Sequence, residues 1–492
     1  MNKTIYITKS EYLFAGSLAL ILSLCFIKSP ILTGLFLWPF VLGIVLHKKI
    51  KVLLILTILY ILFFYTLTTI LWSEYLPFIV KGRGYLKIIY NPFLICILVG
   101  FLMYLVLNIN NLLFIFRTKL KEFKMIKVIF IELLILIVFL IFNYSFIKIN
   151  GGYPDIASYI NNFFMPVTMF IAVIIAIIKK DLEKSFLIRI LKITLSLLLS
   201  LVCFGVYEFA MKENFLFENL QTVGSFIWNR PYFIFNTQSP YRIFTFIGHP
   251  LRNASIFMVA ALFSLSMNRK RFFLFITFII ATILTFSRSA IIVIPPLVLL
   301  FFVIKKEQVI GRRMLLICIV VLICVSIYFL PLKQSIETRF KTSEASTEVR
   351  WRALKYAKNT MFENIPNLLL GKSGGESREV SKYVTGEGVS FEIPWIMMAI
   401  DKGIIVAFMY IFVLGQILIV LFKKIKRDDA FSIILFLVVL GLLIQLSAYN
   451  GIVSFSPSSL FLWYIITIAI GYHTVNLTGV PISRLKKFGT TS

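Results

Sequence analysis

The chain has 492 residues, of which 59% are hydrophobic and only 15% charged, against about 25% charged in soluble proteins, and its mean hydropathy is +0.93. A water-soluble domain of this size has no means of burying 50 Phe among so many other apolar side chains, so the composition excludes one and implies a polytopic membrane protein. The 50 Lys and Arg against 22 Asp and Glu give a net charge of +28, but the placement of these charges along the chain argues against nucleic acid as a partner.

A helix that crosses the hydrocarbon needs about 20 mostly apolar residues. Apolar stretches centred near residues 19, 39, 62, 98, 138, 170, 200, 259, 279, 297, 322, 408, 439 and 465 predict an all-α polytopic bundle of about 12–14 transmembrane helices. The first run, near Tyr12–Ile27, lacks a small-residue cleavage signature, so it reads as a helix and not as a removed signal. All five cysteines (Cys25, Cys96, Cys203, Cys318, Cys324) fall in apolar runs, which argues against a disulfide framework or a Cys-based metal site.

Every second short loop is basic. Lys48, Lys49 and Lys51 come first, then Arg117 to Lys127, Lys179 to Lys192, Arg269 to Arg271, Lys305 to Arg313, Lys423 to Arg427 and Arg484 to Lys487. Loops near residues 29, 155 and 452 carry almost no charge. Basic loops stay on the cytoplasmic side, so both termini are expected there, and most of the +28 reflects topology. Asp428-Asp429 reads as a solvated part of one such loop.

The organisation predicted is N-terminal transmembrane helices over 1–211, then helices with exterior Arg/His motifs over 212–331. A large extracytoplasmic loop over 332–391 follows, and C-terminal transmembrane helices over 392–492 end the chain. Within the loop, Val349, Ala353, Tyr356 and Ala357 share one helical face and Arg352, Lys355 and Lys358 another, as in a helix lying at the outer interface.

Three groups of polar residues stand where a membrane makes them costly. Ser287-Arg288-Ser289 interrupts two apolar arms of about 16 residues, or about 24 Å each, which is less than the roughly 30 Å core. The tip should therefore lie below the outer surface, with Arg288 in a cavity, snorkelling to headgroups being the alternative. Arg242, His249, Arg252 and Asn253 gather at the outer mouth of one span, where a helix N-terminus favours an anion. The third group is Glu348, Arg350 and Arg352, then Gly371-Lys372-Ser373-Gly374-Gly375, then Glu392 opening the next span. The glycines lack Walker spacing and read as turns. Asp401 is buried in an apolar helix unless that helix starts late, so it needs a partner or a cavity. No Asp-x-Asp pair faces outward and no His/Cys/carboxylate cluster has metal spacing, so a diphosphate or carboxylate held by arginines, with no metal and no cofactor, is the expected ligand.

In order and spacing, Arg242-x-x-x-Phe246-x-Gly248-His249-Pro250, Phe286-Ser287-Arg288-Ser289, Arg350-Trp351, Leu370-Gly371 and Glu392-x-Pro394-Trp395 with Asp401-x-Gly403 resemble the O-antigen ligase/polymerase (Wzy-type) family. That resemblance covers about 240–405 by motif. It implies a GT-C-like integral membrane glycosyltransferase of the bacterial plasma membrane, working on the outer face with undecaprenyl-diphosphate-linked oligosaccharides. It also implies membrane lipids, a flippase and chain-length regulator proteins as partners, an inverting reaction, and no metal. Arg242, Arg288 and Arg350 would bind the diphosphate, with Arg252 beside them and Asp401 and Lys372 in support. Ligases of this family typically carry a His in the large loop where this chain has Glu392, which favours a polymerase of repeat units and leaves the catalytic base open between Glu392 and His249. The rival class is a lipid-linked oligosaccharide flippase or transporter, which usually shows repeated halves and charges reachable from both sides; here the polar chemistry is one-sided.

Overall fold

The computed structural model describes residues 41–64, 92–117, 124–150, 159–212, 243, 245–247, 250–266, 271–305, 351–352, 354–355, 357–372, 393–426, 429–448 and 457–474. Among these residues the chain is all-helical, with no strand. The spans expected near 19, 39 and 322 lie outside the described residues; the other expected centres fall inside helices.

α1 (Ile50–Leu59) continues into a π turn at Tyr60–Phe64; α2 (Pro92–Leu107), α3 (Ile109–Arg117) and α4 (Lys124–Ile149) follow. A π turn at Ile160–Phe164 leads into α5 (Met165–Ile178), then α6 (Lys184–Met211), α7 (Pro250–Ser264), α8 (Arg271–Leu284) and α9 (Arg288–Lys305). Past the large loop come α10 (Ile365–Leu370), α11 (Pro394–Lys402), α12 (Ile404–Lys423), α13 (Ala430–Ser447) and α14 (Pro457–Thr474).

Four helices, in α4, α6, α12 and α13, are long and apolar enough to cross a membrane by length and composition. Six shorter apolar helices fall below the threshold, so among the described residues the full count of 12–14 spanning helices is not reached. The run around 270–305 is interrupted near the expected place, after Leu284, leaving α8 14 residues.

Hydroxyl groups inside these helices stay satisfied by bonding back one turn: Thr57 to Leu53 O, Thr194 to Ile190 O, Thr282 to Phe278 O and Thr467 to Trp463 O, each at 2.6–2.8 Å. Such pairing lets a polar residue lie in an apolar helix without an orphan donor. The buried centre is formed by α5, α7, α13 and α14, which pack on one another. Trp463 donates to Tyr410 OH at 2.8 Å, and Phe163, Phe170 and Trp395 pack their rings around that pair. By contrast, Ile131, Leu134, Ile135, Val138, Ile141 and Phe142 of α4 are exposed at helical spacing. An apolar stripe of that extent suits lipid, not water.

Further polar contacts between helices lie at the helix ends. At one end Tyr104 OH donates to Asp181 Oδ2 (2.8 Å), Lys179 pairs with Asp181 (3.5 Å), and Lys184 Nζ lies 3.8 Å over the Tyr472 ring. Asp429 belongs to this end and is no merely solvated loop residue: Oδ1 accepts from Phe431 N (3.1 Å), capping α13, and Oδ2 accepts from Tyr472 OH (2.9 Å). The described parts of three expected basic loops, 48–51, 179–192 and 423–426 with Asp429, meet here through these contacts and through Lys51 over Phe186. Asp429→Ala removes both bonds and should lower stability by about 1–2 kcal/mol, read as a lower unfolding midpoint of the detergent-solubilised protein.

Candidate functional site

At the opposite end the sharpest feature is the turn between α8 and α9. Thr285 Oγ1 donates to Thr282 O (2.6 Å) and accepts from Ser287 N (3.3 Å), while Phe286 takes φ 50°, a left-handed conformation uncommon without glycine. Thr285, Phe286 and Ser287 are all buried. Ser287 O accepts the first helical bond from Ile291 N (3.2 Å), so Ser287 caps α9 and Arg288 is its first residue instead of the hairpin tip. The helices on either side are 14 and 18 residues long, bracketing the expected arms of about 16.

A second strip, Ile243 with Thr245–Ile247, is pressed onto this turn. Ile243 N donates to Leu284 O at 3.4 Å, and Phe209 packs on Phe286 with ring centres 6.4 Å apart. The strip is held from α6 by Glu208, a fully buried carboxylate whose Oε2 accepts from Thr245 N at 2.8 Å. From α7, Asn253 Oδ1 accepts from Thr245 Oγ1 (2.8 Å) and Asn253 Nδ2 donates to Ile243 O (3.1 Å). Gly205 makes room for it, since a Cβ there would stand 3.2 Å from both Ile243 and Thr245 side chains. Thr245 pays with φ 47°. Arg252, half-buried, is the third residue of α7.

The third segment joins the large loop to the bundle. Residues 351–352, 354–355 and 357–361 are helical, with Arg352, Lys355 and Lys358 exposed and Ala357 buried against Met397 and Ile400 of α11. Ala357 and the three cations thus lie as the expected amphipathic split requires, with α11 covering Ala357; Val349, Ala353 and Tyr356 lie outside the described residues. α10 then ends in Gly371 (φ 80°), pressed on Gly403 (φ 88°), which separates α11 from α12. A Cβ on Gly403 would fall 2.1 Å from Leu369 O, and one on Gly371 2.6 Å from Gly403 N. Lys372 N donates to Ile400 O at 3.0 Å. These glycines thus allow two backbones to touch, beyond forming turns. Asn143 of α4 donates to Leu370 O and accepts from Tyr159 OH, and the buried Lys402 Nζ lies 4.1 Å over the Tyr159 ring.

The same break selects the second of the two places expected for Asp401. The spanning helix starts late, at Ile404, and α11 is a separate nine-residue helix; Asp401 is its half-buried penultimate residue and not a charge in mid-span. Lys372 forms a surface ion pair with Glu363 at 2.8 Å, which gives it a loop-bracing partner. Arg242, His249, Arg350 and Glu392 lie outside the described residues, and of Arg288 only the backbone position is described.

Segments adjoining those residues are drawn together by the last turn of α13. Gln445 Nε2 donates to Ser287 Oγ at 3.3 Å, and two residues on Ser447 Oγ accepts from Trp395 Nε1 at 3.1 Å. One turn of helix therefore touches the residue before Arg288 and the second residue of α11. Glu208 and Gln445 were not among the candidates read from sequence, although each is a lone polar residue in an apolar run, and that isolation is the available signal.

No family model matches the chain, no curated protein matches it, and no solved structure does.

Gly403→Ala should cost about 3 kcal/mol or more, because a contact with backbone and a positive φ both oppose a side chain. The check is thermal unfolding of the purified variant, and a wild-type midpoint would contradict the close approach. Glu208→Ala, which strands the Thr245 N–H, should cost about 2–3 kcal/mol in the same measurement.

Proposed function

We propose that this chain is a membrane glycosyltransferase that polymerises undecaprenyl-diphosphate-linked oligosaccharide repeat units on the outer face of a bacterial plasma membrane. The observation that carries the reading is the buried turn before Arg288. The strip that follows Arg242 is bonded to Leu284 beside it, and the α13 turn that reaches Ser287 also reaches α11. Segments far apart in sequence, each carrying one of the motif residues, thus converge at one end of the bundle. The opposite end brings together three of the basic loops, which supports assigning that end to the cytoplasm; both termini are assigned to the same side by the charge pattern of the sequence.

In the proposed reaction a hydroxyl of the acceptor repeat unit attacks C1 of the donor sugar from the face opposite the diphosphate. The new C1–O bond forms as the bond from C1 to the phosphate oxygen breaks, and the lipid diphosphate departs with the electron pair. Glu392 or His249 takes the hydroxyl proton. The negative charge that grows on the leaving oxygen is met by Arg288, Arg242 and Arg350, with Arg252 near them, and by the positive start of α9. Lys372 and Asp401 act at a remove, holding the loop and α11. The partners are the lipid-linked donor and acceptor, bilayer lipids, a flippase that delivers the units and a regulator of chain length.

Purified protein mixed with lipid-linked repeat units should yield longer glycans with no ion gradient. Arg288→Ala and Arg242→Ala should each lower that rate by about 10²–10³-fold while the protein still inserts; normal polymer from both variants overturns the anion site. Glu392→Gln decides the base, since unchanged turnover transfers the role to His249. Transfer of glycan to a different lipid or protein would mark a ligase, and relocation without elongation a carrier.

A further inference from the structure

Three of the four helices long and apolar enough to cross a membrane end at one place. α6 opens at Lys184, α12 closes at Lys423 and α13 opens at Ala430. Where such helices end, the hydrocarbon ends, so the residues around these three termini stand at the depth of the lipid headgroups. The two ends of the α12–α13 turn are tied together, since Ser432 Oγ accepts from Lys426 N at 3.1 Å and lies 3.2 Å from Lys426 O. The turn packs on the end of α14 through Phe431 and Tyr472, whose ring centres are 4.8 Å apart. Lys184 Nζ reaches the same Tyr472 ring from α6, at 3.8 Å.

Acids do not match the cations gathered here. Lys184, Lys424, Lys426 and Asp429 are the charges that act on His473, the residue after Tyr472, so three cations and one carboxylate share the place. Asp429 is engaged by Tyr472 OH and Phe431 N. Glu183, beside Lys184 in sequence, accepts from Ser185 Oγ at 3.0 Å and makes no capping bond. Among the described residues none of the three lysines is in an ion pair. Lys184 also stands against the dipole of its own helix, whose first turn holds no acid. Cations brought together raise one another's energy unless an anion joins them, and the anion present at headgroup depth is the lipid phosphate. Lys426 is exposed and Lys184 and Lys424 are half-buried, so each is within reach of one. On α12, Phe408, Phe412, Ile419 and Phe422 are exposed at helical spacing among the described residues, and Gly415 has open space beside it. That apolar track leads to Lys424 and suits acyl chains.

We propose that Lys184, Lys424 and Lys426 form a seat for the phosphate of an anionic phospholipid, with the Tyr472 ring holding the first of them in place. The seat lies at the end opposite the candidate site, and it requires that the chain span a membrane but not that it transfer sugars. Three ammonium groups supply both charge and donors to the phosphate oxygens. A zwitterionic headgroup brings a cation of its own into the same place and fits less well.

The experiment takes full-length protein in a neutral detergent and counts retained lipid by native mass spectrometry. The probes are phosphatidylglycerol, phosphatidylcholine with the same chains, and inorganic phosphate. Wild type should hold phosphatidylglycerol about tenfold or more tightly than phosphatidylcholine, while Lys184→Gln, Lys424→Gln and Lys426→Gln should each weaken that hold by about fivefold and the triple variant by about a hundredfold. Arginine at all three positions should preserve it. Lys49→Gln, Lys180→Gln and Lys192→Gln combined remove equal charge from the same end without touching the group around His473, and should change retention less than one seat variant does. The seat is overturned if this control weakens retention as much as the triple variant, if the Gln variants bind like wild type, or if phosphatidylcholine is held as tightly as phosphatidylglycerol. Inorganic phosphate that displaces the lipid at equal concentration overturns the assignment to a lipid. Should the triple Gln variant not fold, the single variants and the Arg variant decide.

Discussion

In an interior this apolar, a buried polar atom has very few places to find a partner, and leaving it without one costs more than most packing contacts return. That scarcity decides which helix ends meet. Glu208 has one strip of backbone to hold, Asn253 holds the same strip from the other side, and Asn143 reaches across to the carbonyl that ends α10. Apolar side chains in the bundle centre can exchange neighbours with modest loss; these directional bonds cannot. They give specificity to an assembly whose bulk cohesion comes from dispersion and close packing.

The two ends of the bundle use different chemistry for this purpose. One end works with surface cations, rings and carboxylates, as in Lys184 over Tyr472 and Asp429 beneath Tyr472. The other works with buried amides, hydroxyls and backbone contacts, as in the Gly371–Gly403 touch and the Thr245 clamp. Exposed ion pairs are weak and tolerant of change, whereas a backbone approach that would put an added Cβ 2.1–2.7 Å from neighbouring backbone atoms leaves no room for a side chain. Rigidity is therefore concentrated at the end where the candidate site residues adjoin described segments.

Much of the architecture was legible because it is written in local periodicity. Apolar runs around 138, 200 and 439 are helices in place, and Ala357, opposite Arg352, Lys355 and Lys358, lies as its spacing says, inside with the cations out. What escaped sequence reasoning is long-range or depends on a break. Gln445 and Ser287 are 158 residues apart, so nothing local links them. Asp401 was ambiguous because hydropathy does not register Gly403, whose positive φ divides one apolar stretch into two helices. Gly371 read as a turn because a missing Cβ is needed both for left-handed backbone and for close approach, and a single sequence does not separate the two.

One further property follows from the pair Pro295-Pro296, which lies inside α9. Neither residue has an N–H, so the carbonyls of Ile291 and Ile292 receive no bond from four places on. The ladder that normally makes a helix act as one rod is missing two consecutive rungs, about two turns below Ser287. Its start is tied to α13 by the Gln445–Ser287 bond, and α9 packs against α13. Mechanically, the orientation of that first guanidinium-bearing turn is set by its neighbours and not by the half of α9 that runs on to Lys305.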